Sequence, residues 1–175
     1  MAKILIIYST TDGHTREICQ RLQQVIEQGA HKVKLVSLND EPHVDLGGFD
    51  KIVVGASIRY GKHNPRVYEF IERNKLILDS KPNAFFSVNV VARKPEKSQP
   101  DTNPYLKKFL KQISWQPKKL GVFAGKIDYQ KYSFWDRTMI RLIMWMTKGP
   151  TDPKTVKEFT NWKRVEEFGR IVSEM

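Results

Sequence analysis

Three things are scarce in this 175-residue chain: cysteine, long apolar runs and negative charge. The single cysteine, Cys19, excludes a disulfide framework and any metal cluster built from several thiolates. It falls on the apolar face of a helical pattern, so it reads as a small buried hydrophobe. No apolar run approaches the roughly 18–20 residues of a membrane-spanning helix. The first residues enter a strand pattern at once, without the features of a signal peptide. A cytosolic domain is the expectation. CxxC, HExxH and a recognisable catalytic triad are missing, so demanding chemistry would have to come from a cofactor. Internal repeats are also missing. The shortage of acids is the most informative gap. Nineteen Asp and Glu against thirty Lys and Arg leave a net charge of +11, which implies an anionic partner. Nucleic acid, anionic lipid and an acidic small molecule all satisfy that requirement. The basic residues are spread over helices and loops, and no platform of stacking aromatics accompanies them, so nucleic acid is not expected.

What the chain does have is a repeating pattern of buried strands and amphipathic helices. Ile4-Leu5-Ile6-Ile7-Tyr8 is an uninterrupted, β-branched-rich run, the mark of a strand covered on both faces. Similar runs follow at residues 51–56, 84–88 and 120–125, and residues 31–36 alternate with lysines as an edge strand does. Helical spacing of apolar residues separates the strands, for example Ile18, Cys19, Leu22, Val25 and Ile26. The implied fold is a single α/β domain over residues 1–175, a three-layer sandwich on a five-stranded parallel sheet of order 2-1-3-4-5. In such a sheet a ligand binds beyond the carboxyl ends of the strands, where the order reverses. Three polar loops leave those ends, at residues 9–15, 57–64 and 89–97. The first, Ser9-Thr10-Thr11-Asp12-Gly13-His14-Thr15, stands between a strand and a helix start. Its hydroxyls and free backbone N–H groups suit a phosphate, although an ordinary strand-to-helix loop capped by Thr fits the same residues.

These segments resemble the flavodoxin family. The first loop is similar to the family's phosphate loop, Gly55-Ala56-Ser57-Ile58-Arg59-Tyr60-Gly61 to its second flavin loop, and Ser87-Val88-Asn89-Val90-Val91 to its third. Two departures stand out: Asp12 is an extra residue before Gly13, and electron-shuttling flavodoxins are acidic where this chain is basic. A narrower resemblance spans nearly the whole chain. Together with residues 9–18 and Tyr132 to Met146, the blocks Ala56-Ser57-Ile58-Arg59-Tyr60-Gly61 and Val91-Ala92-Arg93-Lys94-Pro95-Glu96-Lys97 resemble the flavodoxin-like protoporphyrinogen oxidases of bacteria.

That resemblance implies FMN as cofactor, protoporphyrinogen IX as electron donor, menaquinone or another quinone as acceptor, and a place in haem biosynthesis. It implies that Ser9, Thr10, Thr11, Asp12, Gly13, His14 and Thr15 surround the FMN phosphate. Ser57, Ile58, Arg59, Tyr60 and Gly61 would flank the flavin ring, with Tyr60 either stacked on it or on the surface. Ser87, Val88, Asn89, Val90, Val91, Ala92 and Arg93 would border its pyrimidine edge. Arg59, Lys62, Arg93, Lys94 and Lys97 are candidates for holding two propionates, or form a solvated basic rim. His14 and His63 are candidate proton carriers, or capping residues.

Residues 126–150 interrupt the step from the last strand to the last helix, where the family carries a long insertion. A helix from about 134 to 146 would gather Trp135, Met139, Leu142, Ile143 and Met146 on one face, with Arg137, Arg141 and Lys148 opposite and Met144 beside them. Such a helix either packs its apolar face on the sheet or lies at an anionic bilayer. The second reading places the protein at the cytoplasmic face of the inner membrane. A flavodoxin-like NAD(P)H:quinone reductase and a pure electron carrier are the competing functions.

Overall fold

The computed structural model describes residues 1–175. Five parallel strands form the central sheet: β1 (Lys3–Ser9), β2 (Lys32–Ser37), β3 (Lys51–Arg59), β5 (Asn83–Asn89) and β6 (Lys119–Ala124). Their order is β2-β1-β3-β5-β6, the arrangement expected for a doubly wound sheet. A two-residue strand, β4 (Lys62–His63), folds back antiparallel on the end of β3. It is set by its partner rather than by any pattern of its own, which is why the sequence does not announce it.

Alternation along β1 shows how the apolar run serves two cores. Leu5 and Ile7 join one cluster, while Ile4, Ile6 and Tyr8 join the other. The first cluster is closed by α2 (Pro65–Ser80) and α3 (Pro104–Gln112), through Val67, Phe70, Ile71, Leu106 and Phe109. The second is closed by α1 (His14–Gln28) and α5 (Trp162–Glu174), through Ile18, Leu22, Val165, Phe168 and Val172. Cys19 lies within that second core, and burial pushes its thiol far above the usual range, so it is neither nucleophile nor redox group. The Lys51 ammonium donates to the carbonyls of Val172 and Ser173 (3.2 and 2.7 Å), placing a cation where α5 ends and its dipole is negative.

The insertion is a small unit of its own. It leaves β6 through β7 (Lys126–Asp128), carries α4 (Phe134–Met146) and returns through β8 (Val156–Glu158), which pairs antiparallel with β7. A third core of Ile127, Tyr129, Tyr132 and Met144 holds it together. The excursion therefore runs past residue 150 before rejoining the fold. Helix α4 starts at Ser133, whose side chain accepts from the Asp136 N–H, and ends in a Schellman motif. There Gly149 N–H donates to Met144 O (2.7 Å), Lys148 N–H donates to Trp145 O (3.4 Å), and Lys148 has φ 56°.

Candidate functional site

The loops after β1, β3 and β5 meet at the carboxyl edge of the sheet and line a cleft with about 850 Å³ of empty space, its mouth included. From the first loop Thr10, Thr11, Asp12, His14 and Thr15 reach it. From the second come Ser57, Ile58, Arg59, Tyr60 and Gly61, and from the third Val88, Asn89, Val90 and Val91. Ser9, Gly13, Ser87 and Ala92 do not line it. Ser9 is buried beneath the first loop. Ser87 pairs with His63 in the core (3.0 Å), and the Ala92 N–H donates to Asn89 Oδ1 (3.0 Å), closing the turn that begins the third loop.

The start of α1 is built differently from the other helix starts. Asn64, Asn103, Ser133 and Asn161 each accept a backbone N–H with a side chain; the corresponding residue of α1 is Gly13, which has no side chain to offer. Gly13 adopts φ +90°, a conformation open to glycine at little cost, and its N–H donates to Thr10 Oγ1 (3.0 Å). The first bond inside the helix runs from Glu17 N–H to the Gly13 carbonyl (3.3 Å), so the N–H groups of His14, Thr15 and Arg16 are free for an anion. Within the first turn, at the second helical residue, the Thr15 hydroxyl is fully buried, lines the cleft and has no hydrogen-bond partner. A buried hydroxyl without a partner is costly, and a phosphate oxygen in the cleft would satisfy it. The residues present thus fit the phosphate end of FMN.

Asp12 has another task. Its two carboxylate oxygens accept from Arg59 Nη2 (2.7 and 2.6 Å), tying the first loop to the second across the cleft mouth. The Arg59 guanidinium also lies 5.0 Å from the centre of the Tyr132 ring. Tyr60 and Gly61 both have positive φ (51° and 75°), as a two-residue hairpin between β3 and β4 requires. The Tyr60 hydroxyl donates to Asp136 at the start of α4, so its ring sits on the rim of the cleft and joins the second loop to the insertion.

The structure places several expected residues outside the cleft or ties them to other partners. Of the five cations considered for propionates, only Arg59 lines the cleft, and it is already paired. Lys62 is exposed on β4, while Lys94 and Lys97 sit on the outer part of the third loop. Arg93 faces away from the cleft and donates to Val90 O and Thr147 O (3.1 and 3.0 Å), pinning the end of α4. His63 is not a proton carrier. It is buried between Phe85 and Phe109, outside the cleft, and burial pulls its pKa down to about 3. His14 does line the cleft, but both ring nitrogens are engaged, by Glu17 (3.0 Å) and Thr160 (2.6 Å).

The insertion supplies a wall that the loop patterns did not reveal. Gly125, Lys126, Ile127 and Tyr132 line the cleft, as do Ile140, Ile143 and Met144 of α4. Met144 is buried rather than grouped with surface cations, and Arg137 and Arg141 donate to the insertion's own carbonyls, Tyr129 O and Thr151 O (3.0 and 2.7 Å). The face of α4 carrying Trp135, Met139, Leu142 and Met146 points outward, joined there by Phe134 and Trp145; Ile143 turns inward to the cleft. Trp135 keeps 76% of its surface exposed, Trp145 71% and Met146 69%.

The comparisons with known proteins agree with this fold. The family model described as "Flavodoxin domain" matches residues 5–154. The protein named "Protoporphyrinogen IX dehydrogenase [quinone]" of Escherichia coli K12 is 39% identical over 173 residues, covering 99% of this chain and 96% of that one. A protein of the same name from Leishmania major is 40% identical over 167 residues, covering 95% of this chain and 72% of that one. Among solved structures, oxidised Flavodoxin 1 of Bacillus cereus superposes with a TM-score of 0.58 at 15% identity, covering 98% of this chain and 97% of that one. Flavodoxin 2 of the same organism gives a TM-score of 0.58 at 16% identity, covering 99% of each chain.

Proposed function

From the premise that this chain belongs to the flavodoxin-domain family, in its protoporphyrinogen IX dehydrogenase branch, we propose that it is an FMN-dependent oxidoreductase that oxidises protoporphyrinogen IX to protoporphyrin IX in haem biosynthesis, with a quinone as electron acceptor. The observation that carries this reading is the near-complete overlap, at 39% identity, with a protein bearing that activity in its name. FMN held here would supply the redox chemistry, relaying each pair of electrons, with two protons lost alongside, from the reduced tetrapyrrole to a quinone that becomes a quinol. The chain holds and screens the flavin. Thr15 and the free N–H groups at the start of α1 bind the phosphate. The second and third loops flank the ring, and Ile140, Ile143 and Met144 close the cleft with apolar surface that excludes water and suits two lipid-soluble reactants. Menaquinone is the acceptor we favour.

An anaerobic mixing experiment separates this reading from an NAD(P)H-dependent reductase. Protoporphyrinogen IX is expected to bleach the absorbance of the FMN-loaded protein, and NADPH to leave it unchanged. Bleaching by NADPH alone would contradict the reading.

We propose in addition that the protein attaches to a membrane. Six large apolar side chains on the outer face of α4, in a chain of charge +11, suit peripheral attachment to anionic lipid on the cytoplasmic face of the inner membrane. Replacing Trp135, Met139 and Leu142 together by glutamine is expected to lower partition onto anionic vesicles by about tenfold or more, with FMN still bound. Vesicle flotation reads the partition, and an unchanged value would exclude α4 as the anchor.

A further inference from the structure

Beside the third loop lies a second hollow, open to solvent, with about 640 Å³ of empty space, its mouth included. It shares no lining residue with the cleft, yet the two adjoin along the chain at Val91–Ala92 and at Ala124–Gly125. Its walls are apolar where Ala92, Val122, Phe123 and Phe159 form them. Two half-buried guanidinium groups, Arg93 and Arg164, border it. Neither takes part in any ion pair. They are held by neutral partners instead: Arg93 by Val90 O, Thr147 O and Thr147 Oγ1 (3.2 Å), with its guanidinium 5.8 Å from the Phe159 ring centre, and Arg164 by Ser98 O (2.8 Å) and Gln99 Oε1 (3.4 Å). Those bonds use Arg93 Nη1 and Nη2 and Arg164 Nη2, leaving Arg93 Nε and Arg164 Nε and Nη1 without a partner. Partly buried charges are normally compensated, and burial already pulls the Arg93 pKa down. Asn161, the residue that begins α5, borders the same hollow, so the positive end of that helix dipole lies there too.

We propose that this hollow is a carboxylate site for the propionate edge of a tetrapyrrole, separate from the flavin cleft. Two cations beside apolar walls match an acid group on a flat apolar body better than a small inorganic anion, which would leave the walls unused. The proposal rests on the functional reading above, and it fits a demand of that chemistry. A porphyrinogen must lose three pairs of electrons, each with two protons, and a fresh quinone is needed for each pair. An anchor next to the cleft keeps the partly oxidised tetrapyrrole at hand while the quinone enters.

The test is equilibrium binding of protoporphyrin IX to the FMN-loaded protein, followed by the shift in porphyrin absorbance. Its dimethyl ester, which has no carboxylate, is the control. Arg164→Gln is expected to weaken binding of the acid by about tenfold, Arg164→Lys to retain it, and the ester to bind no better to wild type than the acid does to Arg164→Gln. Removing FMN is expected to leave the affinity unchanged. Equal affinity of wild type and Arg164→Gln, equal affinity of acid and ester, or displacement of the porphyrin by FMN would each overturn the proposal. The ester comparison needs no variant, so it decides even if Arg164→Gln misfolds. Acid-selective binding without quinone-dependent porphyrin formation would remove the functional reading and leave this site standing; the reverse result would remove the site alone.

Discussion

Thr15→Val is expected to weaken FMN binding by about tenfold to a hundredfold while leaving the cofactor-free protein at least as stable as the wild type. The two halves of that expectation come from one observation: in the protein alone the Thr15 hydroxyl is buried and has no partner. Valine matches threonine in shape, so the exchange removes a desolvated polar atom and opens no cavity. Against a phosphate the same hydroxyl makes a hydrogen bond to a charged acceptor, worth about 1.5–3 kcal/mol. Titration of the apoprotein with FMN gives the affinity, and urea unfolding of the apoprotein gives the stability. Loss of apoprotein stability with unchanged FMN affinity would show that Thr15 is a packing residue. Gly13 complements it. A Cβ there would meet nothing within 4 Å, so the constraint on that residue is its φ of +90° and not space.

The second large effect concerns acid. His63 is packed against Phe85 and Phe109, and its pKa falls from 6.5 to about 3 because burial disfavours the imidazolium. The unfolded chain takes up a proton at this residue below pH 6.5, whereas the folded chain does so only near pH 3. The contribution to stability is therefore complete above pH 6.5 and is lost progressively as the pH falls towards 3. At pH 5 the loss from this one residue is about 2 kcal/mol relative to pH 7. His63→Gln retains a polar group near Ser87 but does not titrate. It is expected to be less stable than wild type at pH 7 and to show a much flatter pH dependence between 7 and 5. Urea midpoints at the two pH values measure it, and an undiminished slope in the variant would assign the acid sensitivity elsewhere.

Much of the fold can be read from local pattern because its strands are buried on both faces. Residues 4–8 have no polar face to obscure the assignment, and the three loops that follow β1, β3 and β5 are conspicuous because each interrupts an apolar run with hydroxyls, amides and charges. Other features depend on partners distant in sequence. Nothing near Arg59 signals that Asp12, 47 residues away, will neutralise it, and nothing near Arg93 signals that it will cross to Thr147. Helix α4 shows a different limit. Apolar residues occur on nearly all its sides, so spacing alone names a face without saying whether that face packs inward. Ile140, Ile143 and Met144 meet the cleft, and the side with Trp135, Met139 and Leu142 is left outside. Tyr132 and Lys126 escaped notice as cleft residues for a related reason, since they belong to an insertion that comes back over the loops only through the pairing of β7 with β8.

The Asp12–Arg59 pair gives the extra residue of the first loop a physical purpose. Asp12 is the wrong charge for a phosphate ligand, but as a partner for Arg59 it fixes the second loop relative to the first. The Tyr60 contact with Asp136 extends the same connection to α4. Loop, loop and insertion thus form one continuous rim around the cleft.

A flavin within this rim would carry electrons from a porphyrinogen to a quinone. The most direct measurement is porphyrin fluorescence in an anaerobic mixture of the FMN-loaded protein, protoporphyrinogen IX and menaquinone. Fluorescence is expected to rise only when all three components are present and to stop rising when the quinone is exhausted. A fluorescence trace that is the same with and without quinone would contradict it.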